Sequence, residues 1–151
     1  MAEFYVSLSD HEMASQIADM LNRYNRWATR FTAMSLMVTA ARYFVELEGS
    51  RVVGCASHLH DYPLMSKIQH ICVLPQYRGR GIATRLTKMA IVHCDTELVY
   101  MTIREDNAAS LALARTLGFI FVTKHWFRDH WTLTFGRRRD NDHRSELCRQ
   151  M

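Results

Sequence analysis

The sequence contains no apolar run long enough to cross a bilayer. Stretches such as residues 71–74 fall far short of the roughly 20 residues a spanning helix needs. Its start, Met1-Ala2-Glu3-Phe4-Tyr5-Val6, lacks a basic segment leading into an apolar one, so no secretory signal is visible. Cysteine is sparse and scattered: Cys55, Cys72, Cys94 and Cys148 form no C-x-x-C pair. That spacing supports neither a zinc site nor a disulfide framework, and it reads as free thiols in a reducing compartment. Internal repeats are absent, and no linker interrupts residues 1–136. Together these absences predict one cytoplasmic domain with no bound metal and no membrane partner.

What is present agrees with that. A chain of 151 residues, 48% hydrophobic and 23% charged, has the balance of one compact domain with its own core. The net charge of +4 is unevenly spread, with Arg137, Arg138, Arg139, Arg144 and Arg149 all near the end. Such a chain attracts phosphate-bearing ligands, nucleic acid included, and charge alone does not choose among them.

Hydrophobic periodicity predicts the element order β-α-α-β-β-β-α-β-α-β-β. Residues 3–8 alternate as a first strand, and Ser9 with Glu12 forms a capping box for a helix reaching about residue 22. Residues 25–39 read as a second helix. Residues 42–48 and 51–60 read as strands joined by Gly49-Ser50, and residues 67–74 as a strand stopped by Pro75. A helix over 82–93, a strand over 97–104 and a helix over 107–117 capped by Gly118 follow. Two closing strands, 119–126 and 130–135, end the domain at residue 136, leaving 137–151 as a basic polar tail. The expected class is α/β (α+β), with a mixed, mostly antiparallel sheet of about seven strands flanked by four helices.

The segment Val73-Leu74-Pro75-Gln76-Tyr77-Arg78-Gly79-Arg80-Gly81-Ile82-Ala83 carries the chemistry. A strand runs into proline, a short glycine loop and then a helix. Gly79 and Gly81 let the loop turn tightly, and the helix adds unpaired N–H groups and its dipole. The product is an anion cradle suited to a pyrophosphate, to which Arg78 and Arg80 add charge-assisted contacts. Taken alone, a glycine pair of this kind is more often a plain turn before a core helix.

It does not stand alone. Arg78-x-x-Gly81-x-Ala83 resembles the R/Q-x-x-G-x-G/A signature of the GNAT acyltransferase superfamily. The stretch from Thr102-Ile103-Arg104-Glu105-Asp106-Asn107 to Leu117-Gly118-Phe119 is similar to that family's second motif. The resemblance implies acetyl-CoA, or a related acyl-CoA, as cofactor and direct attack by an amine without an acyl-enzyme. It implies that Ile71, Cys72 and Val73 hold the pantetheine arm through the main chain. An N–H of Cys72 or Val73 would stabilise the oxyanion. Gly79, Arg80, Gly81, Ile82, Ala83 and Thr84, with Arg78, would hold the pyrophosphate, and Asn107 would contact the cofactor near its pantetheine section. Cys72 is then a buried strand thiol rather than a nucleophile.

The acid/base half of the pattern differs. Many members carry a tyrosine seven residues after the asparagine, facing the cofactor sulfur, where this chain has Ala114. Thr102 stands where some carry a glutamate, and Lys67 and Gln69 where histidines or a glutamate sometimes act. His58 and His60 are the substitute base candidates, against the blander reading of two strand-edge histidines. Ser110, one helical turn before Ala114, would hold a water, and Tyr62 and Tyr100 are weaker donor candidates. Three readings follow. The first is an N-acetyltransferase acting on an amine of a small molecule, peptide or protein, as monomer or homodimer. The second is a DNA-base modifier of the Mom type, using the basic tail and the aromatics Trp27, Phe31, Trp126 and Trp131. The third is an acyl-CoA binder without turnover.

Overall fold

The computed structural model describes residues 5–6, 11–25 and 30–139. Its elements are β1 (Tyr5–Val6), α1 (His11–Tyr24), α2 (Ala33–Met37), β2 (Arg42–Glu48), β3 (Arg51–Tyr62) and β4 (Met65–Val73). After a single 3-10 turn, Pro75–Tyr77, come α3 (Ile82–Val92), β5 (Leu98–Arg104), α4 (Ala108–Thr116), β6 (Ile120–Phe127) and β7 (His130–Arg138). The seven strands form one sheet in the order β1-β2-β3-β4-β5-β7-β6. Every neighbouring pair is antiparallel except β4 and β5. The element order and fold class are those the sequence predicts. Among the described residues no helix is long and apolar enough to cross a membrane.

Several boundaries differ for local reasons. The second helix is only Ala33–Met37, not the whole of 25–39. The side-chain amide of Asn22 donates to the Phe31 carbonyl and accepts from the Phe31 N–H, both at 2.8 Å, taking the groups a helix would need. Thr32 then starts the helix through a capping box with Ser35. The predicted box of Ser9 and Glu12 lies partly outside the described residues, as do Trp27 and residues 140–151 of the predicted tail. The last strand extends to Arg138 rather than stopping at Phe135, so the first two arginines of that tail belong to the sheet. Arg137 and Arg138 pair with Val99 and Leu98 on β5, and Arg137 Nη1 donates to the Leu117 carbonyl at 2.5 Å.

The core explains why the site lies where it does. Residues 52–58 of β3 are buried without interruption, the pattern of a strand covered on both faces. Gly54 marks the closest helix approach, since a Cβ there would sit 2.7 Å from Ile82 Cγ2. That contact presses the start of α3 onto the sheet beside the end of β4. On the same stretch of β4, Cys72 Sγ lies 3.8 Å from the Met20 carbonyl of α1. β4 is therefore gripped by helices near its C-terminal end, beyond the residues that pair with its parallel neighbour.

Candidate functional site

β4 and β5 pair only through Met65–Leu98, Ser66–Val99 and Lys67–Tyr100, and then part. The wedge between them opens into a cavity of about 850 Å³, lined by residues 67–73 of β4, residues 101–104 of β5, the loop before α3, the start of α4 and the end of α1. Strand separation normally exposes backbone N–H and C=O groups at real cost. Here the carbonyls are occupied: Asn25 Nδ2 donates to Ile71 O at 3.1 Å, and Arg78 Nε to Val73 O at 3.0 Å. Leu74 N–H donates to Val53 O on β3 at 2.9 Å. Groups alternate sides along a strand, so the Val73 N–H points the other way, into the wedge, while Cys72 faces β3. Of the two backbone donors the sequence left open, the geometry favours Val73.

The loop at the wedge's end has the conformation its glycines permit. Gly79 and Gly81 both have φ of 78°, and Gly81 is the N-cap of α3. No atom lies within 4 Å of a Cβ built on Gly79, so the left-handed backbone, not crowding, calls for glycine there. Arg85 N–H takes the Gly81 carbonyl at 3.0 Å, which leaves the preceding N–H groups as the open first turn. Arg78, Gly79, Gly81, Ile82, Ala83 and Thr84 all line the cavity. Arg80 does not: its guanidinium donates to the Gln76 carbonyl at 3.2 Å and lies over the Tyr77 ring. Asn107 caps α4 by accepting from the Ser110 N–H at 3.1 Å, and both residues border the cavity.

Other expectations are corrected. His58 lies in the core, 6% exposed, stacked on Phe44 with neither ring nitrogen hydrogen-bonded. Burial foremost, then Arg42, lowers its pKa from 6.5 to about 4. His60 is exposed on β3, and neither histidine lines the cavity. Ala114 is on the buried face of α4 and also outside the lining, so its methyl does not face the space where the cofactor sulfur was expected. Tyr100 donates to Asp61, and Tyr100 and Tyr62 both stand outside the lining. Cys72, by contrast, is the buried strand thiol that was expected, pushed up to about 11 by burial and so a poor nucleophile. Among the described residues no cluster of His, Cys, Asp or Glu has the makings of a metal site.

The residue that sequence reasoning missed is His70. It lines the cavity, in the bulge where the β3–β4 register shifts between Cys55 and Ser57, with a φ of 55°. Its Nδ1 is hydrogen-bonded to the Tyr43 hydroxyl, and Phe31 meets the ring edge-on at 4.9 Å. Cys55 Sγ donates to the His70 carbonyl at 3.3 Å. Burial, then the Lys67 charge, lowers its pKa from 6.5 to about 4, while burial raises that of Tyr43 well above the ordinary phenol value. The only signal in the sequence was a histidine three residues before Val73, and nothing there announced the bulge that turns it into the wedge.

The residues present fit a thioester of coenzyme A. The wedge offers the parted edge of β4 for a pantetheine arm, and the left-handed glycine turn with its open helix start suits a pyrophosphate. Comparison with known proteins agrees. The family model "Acetyltransferase (GNAT) family" matches residues 5–119. An N-alpha-acetyltransferase RimI of Mycobacterium tuberculosis is 33% identical over 81 residues, covering 52% of this chain and 51% of that protein. An N-alpha-acetyltransferase of Sulfurisphaera tokodaii is 30% identical over 106 residues, covering 60% of this chain and 64% of that one. The matches thus span about half to two thirds of those relatives. The solved structure of yncA from Salmonella typhimurium, with its cofactor acetyl-CoA, superposes with a TM-score of 0.72 at 17% identity, covering 93% of this chain and 94% of that one. The chain belongs to the acetyltransferase (GNAT) family.

Proposed function

We propose that this protein moves an acetyl group from acetyl-CoA to the α-amino group of a peptide or protein by direct attack. The observation that carries the proposal is the parted β4–β5 pair, with the Val73 N–H facing the opening at the end of β4, on the strand that leads into the left-handed Gly79–Gly81 turn. The choice of acceptor rests on the two N-alpha-acetyltransferases among its relatives.

When bound, acetyl-CoA supplies an activated acetyl group on a thiol leaving group. The first turn of α3 holds the pyrophosphate through its N–H groups, and Ile71 and Val73 align the pantetheine arm. Val73 N–H donates to the thioester oxygen as negative charge grows there. Asn107, anchored by its cap bond to Ser110, stays at the rim of the wedge. His70 accepts the proton that the amine sheds as its nitrogen bonds to the acetyl carbon. Tyr43 holds the ring at Nδ1; with the phenol accepting from Nδ1–H, Nε2 would be the basic atom. With Ala114 in the core, that position would supply no proton to a departing thiolate, a loss that a thiol pKa of about 8.5 tolerates. The catalytic domain runs at least to Arg139, whose N–H donates to the Glu97 carbonyl at 2.6 Å.

An imidazole as weakly basic as His70 takes a proton only while the C–N bond forms, so the amine must arrive neutral. The test is acetyl transfer to peptides, followed by free thiol release across pH. kcat/KM should rise with pH and level off near pH 8, the pKa of an α-amine (about 7.7–8.0), rather than above pH 10 as for lysine. Peptides blocked at the N-terminus but carrying lysine should be poor acceptors. Equal turnover of blocked and free peptides would overturn the α-amine assignment.

A further inference from the structure

Lys67 is a cation that the proposed chemistry leaves unused. It stands at the closed end of the wedge, on the last β4–β5 pair, Lys67–Tyr100, before the strands part. It lines the cavity, as does His70 three residues on. Residues paired across neighbouring strands point to the same side of a sheet, as do alternate residues along one strand. Tyr43 pairs with Ser57 and Ser57 with Gln69, two residues from Lys67, so all four share a face. The Tyr43 hydroxyl holds His70 Nδ1, so the bulge turns His70 to that face as well.

The charges of the wedge do not balance at this end. The cavity is lined by the cations Lys67, Arg78 and Arg104 and by a single carboxylate, Asp106. Arg104 holds Asp106 at 3.1 Å. Arg78 stands at the opposite end, where it donates to the Val73 carbonyl beside the glycine turn. Lys67 has no ion pair among the described residues. Asp61 on β3 accepts from the Tyr100 hydroxyl rather than from Lys67. Next to Lys67, the same face of β5 and β7 carries the paired Thr102 and Thr134, which offer hydroxyls and no charge.

We propose that Lys67 selects acceptors by charge, pairing with a carboxylate side chain at the second or third residue of a peptide whose amino group reacts beside His70. The inference rests on the α-amine reading above and names the class of peptide, one acidic near its N-terminus. Lys67 and His70 are three strand residues apart, roughly 10 Å, and an extended peptide covers that length in three residues of its own. A peptide laid along the parted edge of β4 with its amine at His70 therefore brings its second and third residues within the span of the flexible lysine stem. A cation at this place also repels a protonated amine, and a carboxylate on the incoming chain offsets that repulsion.

The test uses the full chain, acetyl-CoA and three lysine-free peptides that differ only in carrying Glu, Gln or Arg at residues 2 and 3, with an N-terminally blocked copy of the Glu peptide. In the wild type kcat/KM should fall from Glu to Gln to Arg by about fivefold per step, the upper range for a partly exposed ion pair. Salt of about 1 M, which screens beyond about 3 Å, should shrink the preference. Lys67→Gln should level the three peptides, Lys67→Glu should favour Arg, and Lys67→Arg should keep the wild-type order. Loss of Lys67 also removes a charge that lowers the pKa of His70, but that effect is common to all peptides, so the ratio between them is the readout. Equal turnover of the three free peptides by the wild type, with the blocked one inert, would overturn this inference and leave the α-amine reading standing. A Glu preference that persists in Lys67→Gln or at high salt would overturn it too. Transfer to the blocked peptide, or to none of the free ones, would overturn both.

Discussion

Two segments of the wedge place the backbone in the left-handed region, and they do so by opposite means. At Gly79 and Gly81 the conformation is nearly free, because glycine lacks the Cβ that would clash with the backbone. At His70 the same kind of φ costs a histidine about 1–2 kcal/mol. The surroundings repay it: Tyr43 holds the ring, Cys55 the carbonyl of His70, and Asn25 the carbonyl of Ile71. The glycine turn is thus a local device and the bulge a tertiary one. The first exposes backbone N–H groups suited to an anion. The second turns a side chain into the wedge, as the proposed proton transfer would need.

The largest expected effect breaks the glycine side. Gly81→Asp adds a Cβ at a φ of 78° and a carboxylate at the start of α3, where an anion should bind. Acetyl-CoA affinity should fall by at least about 10²-fold, given the helix-terminus and charge contributions removed and reversed. The far-ultraviolet spectrum should stay that of a folded chain, because no atom lies closer than 3.7 Å to the new Cβ. Calorimetric titration with acetyl-CoA measures this, and unchanged affinity would place the pyrophosphate elsewhere.

Next comes the histidine side. His70→Gln should lower kcat by about 10²-fold, the lower range for loss of a general base. Acetyl-CoA affinity should stay within a few fold, because the glutamine leaves the α3 turn untouched. A loss confined to affinity would make His70 a wall of the cofactor site instead. His70→Gly and His70→Ala both lack the imidazole, but only glycine relieves the backbone, so the glycine variant should be the more stable by about 1 kcal/mol in urea unfolding. Equal stability would mean the bulge relaxes without help.

That contrast also explains what the sequence could reveal. The glycine turn was legible because its cause is local: two glycines, a preceding proline-stopped strand and a following helix. The element order was legible from periodicity, and the core merely confirmed it. The bulge was not, because it depends on Tyr43, Cys55 and Asn25, which lie 15 to 46 residues away from the groups they hold. His58 misled for the complementary reason. In an alternating strand a histidine looks like a side chain that reaches water, yet residues 52–58 of β3 are covered on both faces. Likewise the family pattern drew attention to position 114, whereas Ala114 sits on the buried face of α4, outside the wedge lining.

The smallest effect separates the two buried histidines by pH. Both have pKa values lowered from 6.5 to about 4, chiefly by burial. Above pH 6.5 folded and unfolded chains both hold these rings neutral, and the stability is fully present. As pH falls from 6.5 toward 4 the unfolded chain takes up protons that the folded chain refuses, and stability is lost. His58 should account for about 2 kcal/mol of that loss, since each tenfold drop in proton affinity corresponds to about 1.4 kcal/mol and partial solvent access reduces the total. His58→Leu removes the proton site and two unpartnered ring nitrogens from a stacked position against Phe44. Urea unfolding at pH 8, 6 and 4.5 should therefore show a flatter profile for His58→Leu, with no loss of stability at pH 8 and with kcat unchanged. His70→Gln should flatten the profile similarly but carry the fall in kcat with it. If His58→Leu slows turnover as much as His70→Gln, the division between a core histidine and a wedge histidine fails, and proton transfer must involve the far face of β3 as well.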